Sequence, residues 1–212
     1  MLDPLADALD RGIDELLGRH EQRPSHVLHV RDLALQLFDC LKPEHGLGRE
    51  DFLGLNAAAC LHDIGWSVTF PEGRAHHKAS ARLIREHAWQ GVERMHIDRI
   101  ALVARYHRKS EPCEVRHRDY AVLDAGERRR VDWLAAMLRV ADGLDRRHEQ
   151  RVRSVRVVRG TGVMSLIADG ETDLLTEIQG ATRKSGLLAR LCGGALGIQP
   201  LPVTGRSRSN PG

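Results

Sequence analysis

Lysine is scarce in this chain. It occurs only at positions 42, 78, 109 and 184, so the positive charge is carried almost entirely by arginine. Arginine suits planar, bidentate recognition of phosphate, while a formal net charge of +3 is too small to argue by itself for nucleic acid. Paired cysteines are missing as well. Cys40, Cys60, Cys113 and Cys192 lie far apart with no C-x-x-C spacing, three of them in apolar helical runs, which points to buried free thiols in a reducing compartment. No apolar run approaches the roughly 18 residues that span a bilayer, and no basic-then-apolar leader opens the chain, so a soluble, cytoplasmic protein without membrane partners is expected. There is no internal repeat.

What is plentiful is histidine, with 12 among 212 residues, and that is the first hint of metal chemistry. The length allows one generous domain, or one domain with a small appendage, and a core that needs no disulfide or structural metal.

Asp3-Pro4 predicts a capped helix running to about Gly18. Ser25 is the expected cap of a second helix, which reaches Leu41 and is stopped by Pro43. Its inner stripe is Val30, Leu33, Ala34, Leu37, Phe38 and Leu41; His26 lies four residues before Val30 on the same stripe, and His29 at its edge. A third helix, about 50 to 64, ends in His62-Asp63 beside Gly65. A loop with Pro71 and Gly73 leads to His76-His77-Lys78, which opens a short helix through Ile84. The next helix, about 92 to 108, places Ile100, Val103 and His107 on one line.

A mixed segment follows, and then a long helix from Arg129 to about His148. Asp142 continues its Leu134–Leu138 line, where an acid is either buried with a partner or turned to solvent. After Gln150 the period changes. Val155 to Val158, the turn Gly160-Thr161-Gly162 and Val163 to Ile167 predict a β-hairpin. A third strand at about 174 to 178 and a last helix at about 181 to 192 are expected beyond it. The fold class is therefore mainly α: a helical domain over 1–150, a small β-hairpin plus helix appendage over 151–198, and a disordered polar tail over 199–212.

Five segments offer ligands: His26, the pair His62-Asp63, His76 or His77, His107, and Asp142. Each has a plain alternative. His26 fits a solvated first turn, His76-His77 a loop end, His107 an exposed cation beside Arg108 and Lys109. Asp142 fits a surface pair with Arg139 or Arg146 at helical spacing. Their order and spacing together are harder to reach by accident.

The series H-x-x-x-V, HD-x-G, HH-K, Y-H-R-K and ADGLD resembles the HD-domain superfamily of metal-dependent phosphohydrolases. The runs LALQLFD (33–39), LHDIG (61–65), HHKAS-x-RLI (76–84), IALVARYHRKS (100–110) and LRVADGLDRRH (138–148) are similar to the C-terminal region of the exopolyphosphatase / guanosine-pentaphosphate phosphatase family. The likeness covers roughly residues 20 to 198. Two features depart from that family: nothing corresponds to its N-terminal actin-like phosphatase module, and Ala79 stands where the family often has histidine.

The resemblance implies an HD-domain helical bundle whose metal ligands are His26, His62, Asp63 and Asp142. It adds His76, favoured over His77, and His107 for a second ion bridged by Asp63. Two imidazoles and two carboxylates with open positions suit one or two octahedral ions such as Mn, Fe, Co or Mg, rather than a closed structural Zn site. His62 and Asp63 are the catalytic candidates, and Lys78, Arg108, Lys109 and Arg146 the phosphate-binding ones. The implied activity is phosphohydrolase chemistry on a phosphate ester, nucleotide or phosphoanhydride. The absence of Gly-Tyr-Pro after His107 argues against the cyclic-dinucleotide phosphodiesterase branch. The alternative is a non-catalytic module that binds polyphosphate or a nucleotide, or regulates a partner. The implied partners are a phosphate-containing small molecule or polyphosphate and a second copy of the chain as a homodimer, with no specific nucleic acid.

Overall fold

The computed structural model describes residues 3–21, 23–171 and 173–202. In chain order the helices of the first part are α1 (Pro4–His20), α2 (Pro24–Cys40), α3 (Lys42–His45), α4 (Arg49–Leu61), α5 (Trp66–Thr69), α6 (His76–Glu86), α7 (Arg94–Tyr106), α8 (Arg118–Ala121) and α9 (Ala125–Leu144). They are followed by β1 (Val152–Gly160), β2 (Val163–Gly170), α10 (Leu175–Lys184), α11 (Gly186–Leu191) and β3 (Leu196–Pro200). The protein is thus mainly α with a small sheet, as its periodicity predicts. No helix among the described residues is long and apolar enough to cross a membrane.

The helix starts follow local chemistry. The Asp3 carboxylate accepts from the Ala6 N–H, and Pro4 occupies the first turn of α1. In α2 the expected cap, Ser25, already lies inside the helix. Pro24 begins it one residue earlier, because its fixed φ is preset for that position. The long helix α9 begins at Ala125 rather than near 129, since Asp124 caps it by accepting from the Glu127 N–H at 2.9 Å. It also ends earlier than expected, at Leu144 rather than His148.

The interior is built from α2, α4, α7 and α9, whose fully buried side chains include Leu33, Leu37, Leu55, Leu61, Leu102 and Leu134. Each such leucine stabilises the fold by about 1.5–3 kcal/mol relative to exposure. The same core continues through Val152, Val155, Leu166, Ala181 and Leu188, so the sheet and the last helices share it. The Val155 N–H donates to the Gln36 side chain at 2.9 Å, tying β1 to α2. Of the cysteines only Cys60 is buried; Cys40, Cys113 and Cys192 are half-exposed free thiols.

The C-terminal part departs from the expectation in two places. The segment 174 to 178 is not a strand but the start of α10. The Asp173 carboxylate accepts from the Leu175 N–H, and the buried positions Leu174, Glu177, Gly180 and Ala181 have helical spacing. The predicted last helix is consequently divided between α10 and α11. The third strand lies later, at Leu196–Pro200, and pairs parallel to β2, whereas β1 and β2 form the expected antiparallel hairpin. Residues 199 and 200 therefore belong to a strand rather than to the expected disordered tail; 203–212 lie outside the described residues.

Glycine at two positions lets α10 lie directly on α9. A Cβ on Gly143 would stand 2.6 Å from Ala181 Cα, and one on Gly180 would stand 2.4 Å from the Gly143 carbonyl oxygen. This backbone contact sets the C-terminal end of α10 beside the helix ends that carry the ligand candidates.

Candidate metal centre

Two histidines close their helices in the same way. His62 follows α4 and His107 follows α7, and each has its Nδ1 at 2.7 Å from the carbonyl oxygen three residues back, Ala59 and Ala104. Carbonyls in the last turn of a helix have no partner within it, and here the imidazole supplies one. A carbonyl can only accept, so Nδ1 carries the proton and Nε2 keeps its lone pair. His76 repeats the arrangement at the start of α6, with Nδ1 at 3.0 Å from Gly73 O. His26, in the first turn of α2, sets its Nδ1 at 2.8 Å from Asp145 Oδ2.

All four Nε2 atoms then converge on Asp63. Its Oδ1 is 3.2 Å from His76, 3.6 Å from His107 and 3.7 Å from His62, and its Oδ2 is 3.9 Å from His26. His26, His62 and Asp63 form one group able to hold an ion; Asp63, His76 and His107 form another. Gly65 makes the second group reachable, because a Cβ there would lie 2.1 Å from the His76 carbonyl oxygen and keep α6 away.

The buried atoms fit a metal. The four histidines are at most 2% exposed, and Nε2 of His26, Nε2 of His62 and Oδ1 of Asp63 have no hydrogen bond. Leaving several such atoms unsatisfied in the interior costs about 1–3 kcal/mol each, which a coordinated cation would offset. Protonation suits the same role. Burial alone would raise the Asp63 carboxyl, but His62, His76 and His107 outweigh it and hold it well below the usual carboxylate range. Burial, then the neighbouring His62, holds His107 well below the ordinary imidazole value, leaving it neutral. Neutral imidazoles and ionised carboxylates are what metal ligation requires.

Asp142 Oδ1 lies 3.7 Å from His26 Nε2. Its other oxygen meets the ammonium of Lys184, which reaches in from the end of α10. Burial would raise this carboxyl too, but Lys184, His107 and His62 keep it far below its ordinary value. The surface pairing with Arg139 or Arg146 does not form. Arg139 is buried and donates to the carbonyl oxygens of Tyr106 and Lys109, pinning the turn that carries His107.

A cleft of about 500 Å³ opens over Asp63, His76, His107 and Asp142. Arg108, Lys109 and Arg146 line it, whereas Lys78 faces a neighbouring pocket. His76 faces Asp63, and His77 lines that second pocket. Several residues at the site were not among the sequence candidates: Asp145 behind His26, His148 stacked on His26 at 3.7 Å, Trp66 stacked on His76 at 4.6 Å, and Arg183 with Lys184 from α10. Asp145 and His148 both lie in the run LRVADGLDRRH (138–148), which carried the resemblance without marking either as part of the site.

The arrangement defines a helical protein with a shared-carboxylate histidine cluster beneath a basic cleft. The chain belongs to the Ppx/GppA phosphatase family through its domain III, whose family model matches residues 10–169. No curated protein matches it.

Proposed function

We propose that this chain is a metal-dependent phosphohydrolase of the HD type, acting on a phosphate ester, a nucleotide or a phosphoanhydride. The observation that carries the reading is Asp63, a single ionised carboxylate faced by four imidazole nitrogens whose opposite ring atoms are all engaged elsewhere. In this reading His26, His62, Asp63 and Asp142 hold one divalent ion, and Asp63, His76 and His107 a second. Mn, Fe, Co or Mg suits this mixed nitrogen and oxygen set. Such ions supply Lewis-acid polarisation of a phosphoryl oxygen and activation of water at neutral pH.

The protein's own groups do the rest. The Nδ1 anchors fix each ring, so the ligands need no reorganisation when charge develops. Arg108, Lys109, Arg146, Arg183 and Lys184 face the cleft and bind phosphate oxygens. The Trp66 ring stacks on His76 and holds its orientation at the edge of the cleft. His62 and Asp63 carry the catalytic assignment, because they present a nitrogen and a carboxylate side by side at the centre of the cluster.

One observation favours a second reading, a non-catalytic module that binds polyphosphate or a nucleotide. Lys184 already gives Asp142 a cationic partner without any metal. Metal content of the purified protein, measured alongside activity on a panel of phosphoesters, separates the two. The hydrolase reading expects bound divalent metal and turnover, both lost in Asp63→Ala. It fails if the wild type carries no such metal and Asp63→Ala keeps its melting temperature. Polyphosphate binding that survives Asp63→Ala and weakens with salt would support the binding module.

A further inference from the structure

The turn that follows α9 contains two strained residues. His148 and Gln150 have φ angles of +59° and +53°, although neither is glycine. A side chain in this left-handed region crowds its own backbone, and glycine fills such a position at no steric cost. Non-glycine residues persist there where the surroundings fix them, and they gather at functional sites. In this turn Asp145 does the fixing. Its carbonyl oxygen accepts from the His148 N–H at 3.0 Å, Oδ1 from the Gln150 N–H at 2.8 Å, and Oδ2 from the Gln150 side chain at 3.3 Å.

The strained backbone places one ring. The His148 imidazole lies flat against His26, with centroids 3.7 Å apart and an interplanar angle of 5°, and it lines the cleft over the cluster. Its Nδ1 is buried without a hydrogen-bond partner, so it is the face of the ring that is used rather than that nitrogen.

His26 needs such a face. Its Nδ1 is tied to Asp145 Oδ2 at 2.8 Å, and its Nε2, without a hydrogen bond, has oxygens of Asp142 and Asp63 at 3.7 and 3.9 Å. One hydrogen bond fixes one ring atom and tolerates tens of degrees of misalignment, so it leaves the plane of the ring free to tilt. His62 meets the same ring at 64° with centroids 5.5 Å apart, a contact that offers no parallel face. His148 supplies the missing restraint. Asp145 therefore serves His26 twice, by bonding its Nδ1 and by folding the turn that brings His148 onto it.

We propose that His148 is a positioning residue of the metal centre: held at a strained backbone position, its ring fixes the plane of His26 and so the direction of Nε2. The role rests on the metal site proposed above and is independent of whether that site hydrolyses anything.

Three substitutions in the full-length chain separate ring from backbone. His148→Gly and His148→Asn remove the ring and leave residues that accept positive φ, whereas His148→Phe keeps a ring and has no nitrogen. The measurements are Mn affinity by calorimetric titration, the visible absorption spectrum of the Co-loaded chain, and the melting temperature of the metal-free chain. His148→Gly and His148→Asn should bind Mn about 10–100-fold more weakly and alter the Co spectrum. Their metal-free melting temperatures should stay within about 3 °C of the wild type, because backbone relief offsets the lost packing. His148→Phe should bring back both the Mn affinity and the Co spectrum. Wild-type Mn affinity in the two ringless variants overturns the proposal. So does a metal-free melting temperature that drops by more than about 5 °C in both, since the ring would then be ordinary packing. Weak Mn binding that His148→Phe fails to recover assigns the effect to the imidazole nitrogens and overturns the role of the face. A wild type that binds neither Mn nor Co overturns the metal site itself, a result distinct from all of these.

Discussion

His26 and Asp145 are 119 positions apart in the chain, and their side chains meet at 2.8 Å. The imidazole donates from Nδ1 to Oδ2, which fixes the ring and turns Nε2 toward Asp63 and Asp142. Asp145 is 1% exposed and also accepts from the Gln150 N–H at 2.8 Å, so its own position is set by the turn after α9. Burial pulls the His26 pKa down, yet the Asp145 bond and the charges of Asp142 and Asp63 raise it above its ordinary value. The surroundings of Nε2 favour positive charge, as a cation site should.

Asp145→Asn keeps the shape and an acceptor oxygen but removes the charge behind His26. Metal affinity is expected to fall by about 10–100-fold, the usual effect of changing such a supporting partner. Titration of the purified chain with Mn or Co reads it directly. Affinity equal to the wild type would mean that Asp145 only shapes the turn.

The contact between Gly143 and α10 predicts a packing defect. In Gly143→Ala the new methyl would stand 2.6 Å from a backbone atom, which cannot turn aside as a side-chain tip could. A loss of about 1–3 kcal/mol in unfolding free energy is expected, with weaker phosphate binding as Lys184 and Arg183 shift. Urea unfolding with an unchanged midpoint would show that the two helices separate at no cost.

Lys184 and an incoming metal ion compete for Asp142. Lys184→Met should therefore raise metal affinity by roughly tenfold, since one close charge contact at intermediate dielectric exceeds 1.4 kcal/mol. The same change should raise KM for a phosphorylated substrate, because a cation of the cleft is lost. A variant with weaker metal binding would contradict the competition and place Lys184 in a purely structural role.

Away from the site, His45 gives the fold a pH dependence. It is fully buried; Nε2 donates to the Phe38 carbonyl at 2.8 Å and Nδ1 accepts from the Leu47 N–H at 2.8 Å, an arrangement that only the neutral ring allows. Burial chiefly, with help from Arg129, lowers its pKa below the ordinary 6.5. The unfolded chain then binds a proton at a higher pH than the folded one. The stability tied to neutral His45 is complete above 6.5 and is lost as the pH falls from there through the folded-state value. Comparing urea midpoints at about pH 7.5 and pH 5.5, the deficit of His45→Gln relative to wild type should shrink at the lower pH. A deficit that stays constant would rule the linkage out.

Much of this architecture could be read from the residues in order. Helical spacing of Val30, Leu33, Leu37 and Leu41 placed α2 and turned His26 inward, and alternation around Gly160-Thr161-Gly162 placed the hairpin. The order of His26, His62-Asp63, His76, His107 and Asp142 named the side chains that the fold gathers around one carboxylate. These are local properties: period, caps and turn residues depend on neighbours a few positions away. Tertiary structure alone decided the rest. Lys184 reaches Asp142 because Gly143 and Gly180 let two backbones touch, and β3 exists because β2 offers a free edge far from it in sequence. Nor does any local pattern tell that His77 and Lys78 turn from Asp63 toward a separate basic pocket. Such relations depend on which surfaces meet after folding, and a one-dimensional pattern specifies each surface without its partner.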